Sequence, residues 1–210
     1  MNEKQTEIAV LIDASGSMSS IRDDVVGGFN AFVDDQKKLP VEARLTVTFF
    51  DNTRFDKWQE GIDLKQCLKL GAEYRPGGAT PLLDATGRTI EELGERLSNM
   101  AEADRPSKVM VIIMTDGYEN SSVVFTKEKI KSMIEHQEQV YKWEFVFLGA
   151  NIDAFAEAES LGMRMSNVAE YDSSGEGVRL AFAKISETVG RYRTDGTVRG
   201  LGRKIKDQMI

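Results

Sequence analysis

The sequence predicts an α/β fold: a doubly wound, mostly parallel central sheet with one antiparallel edge strand, helices on both faces and a Rossmann-like plan. Three observations predict it. Nearly continuous apolar runs at 8–12, 110–114 and 145–148 lack the alternation of a sheet with one wet face, as strands covered on both faces do. Segments with apolar residues at helical spacing separate them. The regular alternation of the two kinds of segment implies right-handed crossovers within one sheet.

Each element follows in order. Residues 6–12 read as a buried strand. Met18, Ile21, Val25, Phe29 and Phe32 mark the inner face of a helix that ends before Pro40. Residues 44–50 form a second strand, rich in β-branched and aromatic side chains, and a turn at Asp51 and Asn52 leads into an antiparallel edge strand at 55–60. After the Gly77-Gly78 loop, Leu83, Thr86, Ile90, Leu93 and Leu97 define a helix stopped by Arg105-Pro106. Residues 108–115 are the most hydrophobic strand and belong at the centre. Residues 127–141 are helical, with Ile130, Ile134 and Tyr141 facing inward. A strand at 144–148 ends in Gly149, Ala150 and Asn151. A short helix at 154–161, a weak strand at 164–168 and a helix carrying Val178, Phe182, Ile185 and Val189 complete the chain.

One domain is expected over residues 1–190, with a basic tail over 191–210 that carries Arg191, Arg193, Arg199, Arg203, Lys204 and Lys206. The tail reads first as a solvated terminal segment, the alternative being a docking arm for an acidic partner. A hydrophobic fraction of 41% with 29% charged residues is ordinary for a globular protein. The net charge of −7 argues against a nucleic-acid binder and against broad attraction to anionic lipid. No apolar run is long enough to span a bilayer, the N-terminal residues lack the pattern of a signal peptide, and Cys67 is the only cysteine. The expected setting is therefore cytoplasmic, and the expected state a monomer. His136 and Cys67 read as structural: the histidine as a surface or interhelical residue, the cysteine as a small packed hydrophobe.

The chemistry concentrates at three segments. Asp13, Ser15 and Ser17 leave the end of the first strand at alternate positions, so their oxygens can turn toward one point. Thr80 and Pro81 close a glycine-rich loop before a helix, and Thr115, Asp116 and Gly117 follow the central strand. Hard oxygen donors of this kind suit a small divalent cation better than a thiophilic one. In a doubly wound sheet, ligands gather beyond the carboxyl ends of the strands where strand order reverses, and Asp13 and Asp116 sit at such ends. Each segment also has a purely structural alternative. Asp13 and Ser15 suit a helix cap, Thr80-Pro81 suits a cap with Pro in the first turn, and Asp116-Gly117 suits a plain turn.

These three segments, in this order, resemble the von Willebrand factor A domain and its metal-ion-dependent adhesion site (MIDAS). The resemblance covers about residues 7–189, and Asp13-x-Ser15-x-Ser17 matches the family motif in full. It implies a metal held by Asp13, Ser15, Ser17, Thr80 and Asp116, either carboxylate acting directly or through ordered water. The expected ion is Mg²⁺, with Mn²⁺ or Ca²⁺ as substitutes. Three hydroxyls and few direct carboxylates would leave the ion electrophilic, with a position open for a Glu or Asp of a partner protein. The resemblance further implies a compact bacterial or phage module, and movement of the Thr80 loop and final helix on ligand binding. A hydrolase or phosphatase is the rival, since an open metal position can polarise a phosphoryl oxygen. Against it, residues 13–15 lack the second carboxylate of an Asp-x-Asp motif, no histidine lies near the three segments, and no P-loop is present. A third possibility is a metal that only stabilises the fold.

Overall fold

The computed structural model describes residues 1–198 together with Gly200 and Leu201. Six strands form one sheet: β1 (Asn2–Asp13), β2 (Glu42–Asp51), β3 (Arg54–Asp63), β4 (Pro106–Thr115), β5 (Glu144–Gly149) and β6 (Val168–Glu170). Their order is β3-β2-β1-β4-β5-β6. All neighbouring pairs are parallel except β2 with β3, whose strands run antiparallel at the edge. The predicted fold class is the observed one. The chain leaves β1 in one direction and resumes with β4 on the other side, so the switch point lies between the ends of β1 and β4.

Five helices cover the sheet: α1 (Arg22–Lys37), α2 (Leu82–Ser98), α3 (Lys127–His136), α4 (Ala154–Ser160) and α5 (Gly175–Asp195). Side chains alternate across a strand, and this divides the core in two. Ile8, Val10 and Ile12 of β1 join Met110, Ile112 and Met114 of β4 beneath α1 and α5. Ala9 and Leu11 join Val109, Val111 and Ile113 beneath α2, α3 and α4. On the first face the two helices approach closely at Gly28, where a Cβ would lie 2.3 Å from Cδ2 of Phe182. Glycine is needed there for space rather than for conformation.

Several boundaries differ from the sequence expectation. Gly16–Ile21 is a 3₁₀ turn leading into α1, so Met18 and Ile21 are buried ahead of the helix proper. α2 ends at Ser98, and Pro106 opens β4 instead of stopping a helix. The segment after α3, Gln137–Tyr141, widens into a π turn closed by Lys142 at φ 59°. That widening rotates Tyr141 outward to 57% exposure, against the expected inward packing, and its ring meets His136 edge-on at 5.6 Å. The weak last strand lies at Val168–Glu170, because Met165–Asn167 forms a 3₁₀ turn. α5 extends to Asp195, so Arg191 and Arg193 belong to the helix. Arg193 is buried, donating to Gln36 O at 2.8 Å, Gln36 Oε1 at 2.9 Å and Val41 O at 2.5 Å. The remaining tail cations, Arg199, Arg203, Lys204 and Lys206, lie outside the described residues. No helix among the described residues is long and apolar enough to cross a membrane.

Candidate metal centre

β1 carries Asp13 into the switch point because an unbroken buried run, 6–12, precedes it in full parallel pairing with β2 and β4. Three groups fix the turn that follows. Ala14 N donates to Phe50 O at 2.8 Å, Tyr74 Oη donates to Asp13 O at 2.6 Å, and Gly77 N donates to Ala14 O at 2.7 Å. Asp13 is fully buried. Its Oδ1 accepts from Ser15 N at 2.7 Å and its Oδ2 from Thr115 Oγ1 at 2.6 Å. Ser15 Oγ lies 3.1 Å from Ser17 Oγ, and Ser17 Oγ donates to Asp116 Oδ1 at 2.5 Å.

Thr80 arrives on a loop tied to the other segments. Gly16 N donates to Gly78 O at 2.9 Å, Thr80 N donates to Asn120 Oδ1 at 2.8 Å, and Asn120 N returns to Thr80 O at 3.1 Å. Gly78 adopts φ +80°, and a Cβ there would strike Asn52 Oδ1 at 2.2 Å, so the loop requires glycine. A Cβ placed on Gly117 would lie 3.4 Å from Thr80 Oγ1 and 3.9 Å from Ser17 Oγ. Both hydroxyls therefore face the same glycine, next to Asp116. All five sequence-predicted site residues converge on this recess.

The capping alternatives do not hold. Ser15 stands ahead of the 3₁₀ turn, and Pro81 ahead of α2, with no side-chain capping hydrogen bond at either. Among the described residues the Thr80 hydroxyl has no hydrogen-bond partner. Ser15 and Ser17 contact each other and Asp116 rather than orphan backbone N–H groups.

Burial pushes the Asp13 carboxyl up to about 6, against its hydrogen bonds from Thr115 and Ser15, with Asp116 nearby raising it further. Burial also raises Asp116, opposed by Ser17. Tyr74 and Tyr171 are held well above the ordinary phenol range, first by burial and then by these two carboxylates. The recess is thus a place where negative charge is unfavourable without a cation. Its donor set fits one. Small hard divalent cations take about six oxygen ligands, and the recess offers hydroxyl and carboxylate oxygens. Among the described residues no group of three or more His, Cys, Asp or Glu is placed to hold a metal, and the donors gathered here are two carboxylates and three hydroxyls, a hard oxygen set.

Sequence reasoning missed the role of Thr115 in this centre. Thr115 lay inside a quoted motif, but only pairing of β4 beside β1 shows its hydroxyl on Asp13. Tyr118, Glu119 and Asn120, which follow Gly117, divide by role. Asn120 holds Thr80, and Glu119 accepts Leu83 N at 2.8 Å at the start of α2. Tyr118 is 52% exposed and accepts Asp153 N at 2.9 Å. Gly149 and Ala150 end the neighbouring strand, with Ala150 N on Thr115 O at 3.0 Å. His136 is exposed at the end of α3, and Cys67 is buried, as expected.

No protein-family model and no curated protein matches the chain. Solved structures do. The vWF domain of the type V pili tip protein Mfa5 from Porphyromonas gingivalis superposes with a TM-score of 0.64 at 12% identity, covering 94% of this chain and 99% of that one. Proximal thread matrix protein 1 from the mussel byssus, solved with a zinc-occupied MIDAS motif, gives 0.61 at 14% identity over 88% of this chain and 48% of that one. The manganese-loaded TRAP protein of Plasmodium vivax gives 0.59 at 19% identity, over 89% and 74%. The chain spans about half the length of the mussel protein. At these identities the likeness is one of fold.

Proposed function

From the von Willebrand factor A fold, with an oxygen-rich recess at its switch point, we propose that the protein is a divalent-cation-dependent interaction module. Asp13, Ser15, Ser17, Thr80 and Asp116 would hold Mg²⁺, with Mn²⁺ or Ca²⁺ as substitutes. A bound ion would supply positive charge and a free position for the Glu or Asp side chain of a partner protein. The chain's own residues set the stage. Thr115 and Ser15 N orient Asp13, Asn120 holds the Thr80 backbone, and Ser17 orients Asp116.

One observation carries this reading: the Ser15 and Thr80 hydroxyls, placed where caps are expected, cap nothing and gather with Ser17 beside the buried carboxylates of Asp13 and Asp116. The zinc and manganese in two structures of this fold support a divalent ion in such a recess. The hydrolase alternative ranks below it, because the single histidine is remote and the recess offers no base beyond the two carboxylates.

The test compares affinity captures from lysate of the source cells by wild type in Mg²⁺, wild type in chelator, and Asp13→Ala in Mg²⁺. A protein retained only in the first arm is the expected outcome. Equal recovery in all three arms, with each protein folded, would sink the metal-dependent socket and leave a metal of structural role only.

A further inference from the structure

A second recess borders the metal centre, walled by the same segments. Pro81 follows Thr80, Ser121 follows Asn120, and Asn52 exchanges hydrogen bonds with Ala79, accepting its N–H at 2.7 Å and donating to its carbonyl at 3.1 Å. The recess has a volume of about 270 Å³ and lies between the β2–β3 turn and the first turns of α2. That is below the range of about 300–1,000 Å³ typical of small-molecule pockets and suits one or two side chains.

Its rim has two features that packing does not explain. Val123 and Val124 are 90% and 72% exposed. Their backbone is nevertheless held firmly. The Asp84 carboxylate accepts Val123 N at 2.9 Å, Val124 N at 3.0 Å and Phe125 N at 2.9 Å, and Glu119 accepts Ser121 N and Ser122 N at 2.8 and 2.7 Å. Two branched apolar side chains are thus presented to water from an ordered segment, as contact surfaces do.

The second feature is charge. Four charged side chains line the recess: Asp51, Arg54, Asp84 and Arg88. Both carboxylates are internally engaged, Asp84 with backbone N–H groups and Asp51 with Thr53 and Arg54. Arg54 also donates to Arg75 O. Arg88 lies 4.1 Å over the Phe55 ring and reaches Glu92 at 3.3 Å in an exposed pair, which holds it weakly. The charge available to a visitor is therefore positive.

Resting on the interaction-module reading above, we infer that this recess is a second contact point for the same partner. It takes an apolar side chain of the same segment that presents the metal-directed carboxylate. A further acidic residue of that segment faces Arg88. The occupant is thus an acidic, apolar-containing segment of another protein.

A phage-displayed peptide library with a fixed central Glu between random flanks tests this, panned on the full chain in Mg²⁺ and eluted with chelator. Recovered peptides are expected to carry Leu, Ile, Met or Phe at one fixed offset from the Glu, with Asp or Glu enriched nearby. Val124→Asp should lose the apolar preference and Arg88→Glu the added acidic one, each retaining the wild-type peptides about tenfold less well. The rise in Tm on adding Mg²⁺ certifies each variant as folded, with Val123→Asp as the replacement if Val124→Asp fails. Chelator-eluted peptides with no positional apolar preference, or a preference unchanged in the variants, would overturn the second contact and leave the metal reading intact. Apolar peptides held equally well in chelator would overturn the coupling of the two points. No chelator-eluted peptide at all would overturn both.

Discussion

Asp13 is the residue whose environment is most at odds with its charge. It is fully buried and lies near a second carboxylate, and hydrogen bonds from Thr115 and Ser15 do not offset the burial, so its carboxyl is pushed up to about 6. Well below pH 3.8 it is protonated in both folded and unfolded chains. As pH rises from 3.8 to about 6 the unfolded chain ionises first, so the metal-free fold loses stability over that window. The displacement sets a ceiling of about 3 kcal/mol. Asp13→Asn keeps the shape and removes the charge. In chelator at neutral pH the variant should therefore match or exceed wild type, by up to about 2 kcal/mol, and lose the acid-side slope. In Mg²⁺ the order should invert, because only wild type gains from the ion. Thermal melts of both proteins in both conditions check this, and parallel responses to Mg²⁺ would remove Asp13 from the centre.

Elements are positioned by pattern, and the pattern was largely readable. The apolar runs of β1 and β4 have buried flanks on both faces, so their ends, and with them Asp13 and Asp116, could be placed from sequence. The α1–α5 contact was not readable, since glycine in a helix gives no periodic signal. Gly28→Ala should cost about 1–3 kcal/mol through overpacking against Phe182. Adding Phe182→Leu should recover part of that loss, a coupling that urea midpoints of the two singles and the double would reveal. Additive losses would mean the helices separate instead. The other misses share a cause. Tyr141 follows helical spacing, but a π turn shifts its register and Lys142 in the left-handed region ends it. Arg193 reads as a tail cation because its partners, Gln36 and Val41, are distant in sequence. Thr115 reads as part of a strand because its acceptor belongs to another one. Local periodicity places elements; it does not show which polar atoms they bring together.

For the whole molecule, the recess lies where both halves of the sheet meet, so the proposed ligands come from three separated stretches of chain. Asp13, Ser15 and Ser17 follow β1, Thr80 precedes α2, and Asp116 follows β4. Such a set exists only when the sheet is complete, so an ion held by it binds the native state and not the unfolded chain. Binding then stabilises the entire domain by mass action, by about 2.7 kcal/mol at a hundredfold excess over Kd. Two carboxylates relieved of their mutual repulsion make the effect specific to divalent cations rather than to ionic strength. Mg²⁺ or Mn²⁺ should therefore raise Tm, and chelator should reverse each rise. Calorimetry at constant ionic strength, with NaCl replacing the divalent salt in the control, separates the two effects. A rise reproduced by NaCl would contradict a divalent-cation site at the switch point. A rise confined to the divalent salts and absent in Asp13→Ala would tie the stability of both core layers to this one recess.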